Sequence, residues 1–117
     1  MKKIYHLSTC DTCKRILKRL GPGPGVELQD IKKEPLDETR VDALRHLAGS
    51  YEALFSKRAQ LYKQRGLGNQ VLEEADYRAL LLEHYTFLKR PVIVVGEAIF
   101  IGNAEKTIAA AEEALKR

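Results

Sequence analysis

Gly21-Pro22-Gly23-Pro24-Gly25 constrains this chain more than any other stretch. Proline lacks the amide hydrogen that a helix interior needs, and glycine loses more conformational freedom on ordering than any other residue. A helix before this run therefore ends by Leu20, and the next element starts afresh at Val26. The segment from Cys10 to Leu20 places Cys10, Cys13, Ile16, Leu17 and Leu20 at helical spacing, with Lys14, Arg15, Lys18 and Arg19 on the other faces. Ser8 or Thr9 is positioned to cap it. Lys2 to Leu7 reads as a strand before it, and Val26 to Ile31 alternates as a second strand after it.

The middle of the chain is helical. Asp37 can cap a helix carrying Val41, Leu44, Leu47 and Ala48, broken by Gly49-Ser50. Tyr51 to Phe55 leads into a helix over Lys57–Arg65, stopped at Gly66-Leu67-Gly68, and a further helix runs from Glu74 to His84. Beyond Lys89-Arg90-Pro91, Val92–Val95 and Ala98–Ile101 are two strands joined by Gly96-Glu97, a hairpin turn of type II′ character. Asn103 is expected to cap a last helix whose inner face is Ala104, Ile108, Ala111 and Leu115. A chain of 117 residues has room for one such core, so a single domain over 1–117 is expected. Its order is β-α-β, a helical insert over about 36–88, then β-β-α. That order predicts an α/β, thioredoxin-like fold: a four-stranded mixed sheet with helices on both faces and a helical insertion between strands 2 and 3.

Composition narrows the function classes. Hydrophobic residues make up 44% and charged residues 31%, and no apolar run approaches the roughly 20 residues of a spanning helix. After Met1-Lys2-Lys3 only Ile4 and Tyr5 precede polar residues, so no leader is expected and the cytoplasm is the expected compartment. A net charge of +4 favours anionic ligands, but without a basic helix interleaved with aromatics it predicts no direct nucleic-acid binding and no membrane partner. The absence of a long apolar surface stripe predicts a monomer. His46 and His84 fall within helical segments and read as surface or packing residues.

The chemistry concentrates at Cys10-Asp11-Thr12-Cys13, where a strand gives way to a helix. Unpaired amides and the positive end of the helix dipole stabilise a thiolate there, so Cys10 is the expected nucleophile. Lys14 and Arg15 add positive potential, and a protonated His6 within reach would lower the thiol pKa further. Cys13, one turn on and on the apolar face, is expected to be buried and less ionised, within disulfide range as a resolving thiol. The competing reading is a pair of small buried hydrophobes. One CxxC with only His6 nearby does not make a zinc site. Arg90-Pro91 precedes the third strand. In a thioredoxin-like fold that proline is cis and packs beside the reactive cysteine, which would bring Arg90 close enough to hold an anion. Arg58, at the start of a short helix, is a second candidate for that role.

Three stretches resemble the ArsC/Spx/YffB family. Ile4-Tyr5-His6-Leu7-Ser8-Thr9-Cys10 is similar to the start of its arsenate reductases, placing His6 and Cys10 on the family's histidine and catalytic cysteine. Ser56-Lys57-Arg58-Ala59 with Tyr62 is similar to a motif of the Spx and YffB branches. Leu88-Lys89-Arg90-Pro91-Val92-Ile93-Val94, followed by Ile101-Gly102-Asn103, resembles a segment shared across the group. The resemblance implies a thiol-dependent oxidoreductase in which Cys10 attacks, Arg58, Arg90 and Pro91 line the substrate site, and Cys13 or glutathione resolves the intermediate. Of the three arginines that hold the oxyanion in the family's reductases, only Arg90 transfers, and Ser56 stands where another would be. The expected substrate is a small oxyanion or a thiol compound, with no bound cofactor, glutathione as co-substrate and glutaredoxin as a partner. Cys13 also matches the Spx branch, which implies the alternative of a redox-sensing regulator binding the RNA polymerase α-subunit.

Overall fold

A computed structural model describes all 117 residues. It divides into two compact units, Met1–Glu34 with Arg90–Arg117, and Pro35–Lys89. No helix is long and apolar enough to cross a membrane.

The first unit is built on strands β1 (Lys2–His6), β2 (Val26–Asp30), β3 (Val92–Val95) and β4 (Ala98–Ile101) and helices α1 (Asp11–Leu20) and α5 (Glu105–Leu115). The strand order is β2-β1-β3-β4. β1 pairs parallel with β2 and antiparallel with β3, and β3 pairs antiparallel with β4, so the expected mixed sheet is present. Side chains alternate across a sheet. Ile4 and its partner Ile93 therefore project to one side, where they pack with Ile16 of α1 and with Ile108 and Ala111 of α5. Leu17, Leu20, Phe100 and Leu115 close this core. Within this unit both helices thus share one face of the sheet. On the opposite face Tyr5, Val92 and Val94 are buried, as is Lys3, whose ammonium meets Glu27 at 2.7 Å and lies over the Tyr5 ring.

Several local expectations shift. β1 stops at His6, because Leu7 to Cys10 form a turn closed by the Cys10 amide donating to the Leu7 carbonyl at 3.0 Å. β2 correspondingly stops at Asp30, one residue short. Cys10 itself, not Ser8 or Thr9, is the N-cap residue of α1. At the other end Gly21 takes a left-handed conformation (φ 51°) and its amide closes on the Leu17 carbonyl, ending the helix where the Gly-Pro run requires. Gly96 has positive φ and Glu97 does not, in keeping with a II′ hairpin. α5 starts one residue later than expected, with Ala104 rather than Asn103 as N-cap and no side-chain cap bond.

The second unit holds α2 (Glu38–Ala48), α3 (Gln60–Gln64), α4 (Glu74–Glu83) and three short 3-10 turns. Asp37 caps α2 as expected, its carboxylate accepting from the Arg40 amide at 2.8 Å. α3 is shorter than the sequence suggests. Ser56 accepts from the Arg58 amide and the backbone is extended at Ala59, which removes the first turn. α4 ends before His84, whose ring nitrogen Nδ1 accepts from the Thr86 amide. Phe55 is the centre of packing here: its ring stacks on Phe87 at 5.3 Å and meets Tyr77 and Tyr62 at 4.9 and 5.9 Å. Asp42 of α2 accepts from Tyr51 and from two nitrogens of Arg78, joining α2 to α4.

Candidate active site

The site grows out of the end of β1. The chain leaves the sheet at His6, turns over Leu7–Thr9, and delivers Cys10 to the head of α1 in extended conformation (φ −98°, ψ 116°). The Cys10 carbonyl accepts from the Lys14 amide at 3.0 Å, so the first helical bond starts at this residue and the amides of the first turn have no carbonyl before them. Cys10 is half-buried, and Cys13 is 1% exposed.

These positions separate the two thiols. Partial burial opposes ionisation of Cys10. It is outweighed by the Cys13 amide and thiol, the Arg90 charge and the Thr12 amide, so the Cys10 pKa lies below that of an ordinary thiol. Cys10 forms no side-chain cap hydrogen bond, so the Cys13 and Thr12 amides favour the thiolate as dipoles gathered around the sulfur. Burial pushes the Cys13 thiol up to about 11, and the neighbouring Cys10 charge adds to this against the Leu7 amide and Arg90. Cys10 is therefore the group that ionises, and Cys13 keeps its proton.

Arg90 is half-buried and sits at the residue before β3, joined to buried Pro91 by a cis peptide bond. The Pro91 carbonyl accepts from the Gly102 amide at 2.9 Å, tying the start of β3 to the end of β4. Replacing Arg90 by alanine removes a positive charge that favours the thiolate. The midpoint of Cys10 alkylation against pH should therefore move upward and the rate at neutral pH fall several-fold. Arg90→Lys should recover most of it, and an unmoved midpoint would contradict the electrostatic role.

His6 ends β1 directly opposite Asp30 of β2. Its charge acts on that carboxylate, while Cys13, Arg90 and Thr12 are the favourable influences on Cys10. Asp30 is the residue that sequence reasoning missed. Its Oδ1 accepts from the Ser8 amide at 3.5 Å and the Lys32 amide at 3.1 Å, and its Oδ2 is buried without a partner. The Ser8 hydroxyl, more than any other influence, holds the Asp30 carboxyl below its usual range, helped by those amides and by His6 against partial burial. Asp30 thus secures the turn that presents Cys10. An acid closing the strand that follows a β-α unit was the available signal. Arg58 lies in the second unit, exposed, in the turn before α3 rather than on a helix. No group of three His, Cys, Asp or Glu side chains is arranged to hold a metal ion.

A mixed four-stranded sheet, a cysteine at the helix head after its first strand and a cis proline opening its third make this a thioredoxin-like protein. The model of the ArsC family matches residues 5–111, and the chain belongs to that family. It is 25% identical over 108 residues to an arsenate reductase of Haemophilus influenzae Rd, covering 90% of this chain and 93% of that protein. The fold is shared with an ArsC family related protein from Bacteroides fragilis (TM-score 0.76, 20% identity, 94% and 96% of the two chains). It is shared also with an arsenate reductase from Vibrio cholerae (TM-score 0.71, 24% identity, 98% and 95% of the two chains).

Proposed function

We propose that this protein is a thiol-dependent reductase in which Cys10 is the nucleophile and Cys13 the resolving thiol. The observation that carries this reading is the opposite displacement of two thiols three residues apart, Cys10 downward and Cys13 up to about 11. The Cys10 thiolate attacks one sulfur of a disulfide, forming a mixed disulfide and expelling the other sulfur as a thiolate. The Cys13 thiol then loses its proton to the departing group and attacks Cys10 Sγ. That step releases the second thiolate and leaves a Cys10–Cys13 disulfide. The substrate has gained two electrons, and an external thiol such as glutathione returns them to the protein. With Cys13 slow to ionise, glutathione can also resolve the mixed disulfide directly. An arsenate-like oxyanion fits the same nucleophile, because Arg90 offers a guanidinium close enough to lower the Cys10 pKa. The arsenate reductase named among the relatives supports this choice.

Mass spectrometry after mild oxidation tests the reading. Wild-type protein should form the Cys10–Cys13 disulfide, and Cys13→Ser should accumulate a glutathione adduct on Cys10 when oxidised glutathione is supplied. Neither species appearing would overturn the assignment. The second thiol also favours a redox-sensing regulator. Disulfide formation without turnover of any thiol substrate, together with oxidation-dependent capture of the polymerase α-subunit, would select that reading.

A further inference from the structure

The exposed cations around the head of α1 are not used by the chemistry above. Lys14, Arg15 and Lys18 are exposed on the face of α1 turned away from its apolar stripe, and none forms an ion pair. Arg19, by contrast, is occupied by Glu105 and Glu112. Lys14 lies one turn beyond Cys10, and Lys18 follows another turn along the same face, about 12 Å from Cys10 along the axis. A second pair joins them from the turn that follows β2. The strands β1 and β2 run parallel with His6 opposite Asp30, so both leave the sheet at the same end. The Asp30 carboxylate then accepts from the amides of both Ser8 and Lys32, which sets Lys32 and its neighbour Lys33 beside the turn that presents Cys10. Both lysines are exposed and form no ion pair. The exposed acids beside these cations are Asp11 and Glu34, with Glu27 held by Lys3 and Glu105 of α5 held by Arg19 while feeling the Arg15 charge, so the five cations outnumber the acids not already paired.

We propose that Lys14, Arg15, Lys18, Lys32 and Lys33 form a docking rim for an acidic peptide segment carrying the disulfide that Cys10 attacks. The proposal rests on the thiol-exchange reading and names the class of substrate for it. A surface of one sign around a reactive group raises the encounter rate of oppositely charged partners, and salt screens the effect. Nucleic acid is the weaker occupant. The rim surrounds a thiolate, nucleic acid offers that thiolate no disulfide, and no aromatic side chain stands among the five cations.

The test compares three cystine-bearing peptides of equal length whose flanking residues are glutamate, serine or lysine, each offered to the reduced full-length protein. At low salt the glutamate peptide should exchange roughly tenfold faster than the lysine peptide. In about 1 M salt, where the screening length falls to about 3 Å, the three rates should converge. The combined variant Lys18→Glu, Lys32→Glu, Lys33→Glu should lose the preference while its rate with the serine peptide stays within about twofold of wild type. Equal rates for the three peptides at low salt overturn the rim and leave the thiol reading standing. No exchange with any peptide overturns the thiol reading and the rim with it. A single-stranded oligonucleotide that binds the wild type but not the variant, with no preference among peptides, overturns the proposal in favour of nucleic acid.

Discussion

Cys10→Ser should abolish thiol-disulfide exchange, lowering the rate by about 10³-fold or more. A serine hydroxyl at a helix head remains protonated in the neutral range, so the dipoles and the Arg90 charge that favour a Cys10 thiolate have no anion to stabilise. Two companion variants make the result specific. Cys13→Ala removes a thiol that helps to hold the Cys10 pKa down but keeps its amide, so Cys10 stays alkylatable with its midpoint moved upward. The sign follows from the thiolate being the nucleophile: a lower pKa extends the reactive form to lower pH, and losing a stabilising donor reverses this. Wild-type alkylation should therefore show an early phase with its midpoint below that of a free thiol, from Cys10, and a late one near 11, from Cys13. Turnover that survives Cys10→Ser, or an early phase that survives it, would remove Cys10 from the mechanism.

Phe55→Ala should produce the largest loss of stability, about 3–5 kcal/mol. Phe55 is 1% exposed and touches three other aromatic rings at centroid distances of 4.9 to 5.9 Å. Its neighbours are held by backbone as well. Phe55 bridges to Leu88, Ser56 donates to the Phe87 carbonyl at 2.7 Å, and Lys89 donates to the Leu54 carbonyl at 2.8 Å. With both sides fixed in this way, the surroundings cannot collapse into the space left by the ring, which puts the cost at the upper end for a buried side chain. A domain of this size is stable by only about 5–15 kcal/mol, so the variant should unfold at a much lower urea concentration. A change in the unfolding midpoint equivalent to less than about 1 kcal/mol would mean that the ring is not packed as described.

Features that short-range chemistry can encode are legible in the residues alone. The Gly-Pro run stops α1 at Leu20 because neither residue continues a helix, and Asp37 starts α2 because its carboxylate reaches an amide three residues on. The placement of Cys10 and Cys13 followed from the strand-to-helix switch and the i, i+3 spacing, and so did their opposite tendencies to ionise. At Leu7, Ile31 and His84 the sequence pattern runs one residue past the regular element, because a turn or a side-chain acceptor competes with it there. Long-range folding is what makes Asp30 reach back 22 residues to hold the turn before Cys10, and what brings the charge of Arg90, 80 positions after Cys10, to the Cys10 sulfur. It alone decided that α1 and α5 cover the same side of the sheet. Contacts of this kind depend on strand order and register. Those are set by the closure of the whole core and leave no periodic trace in the residues that make the contacts.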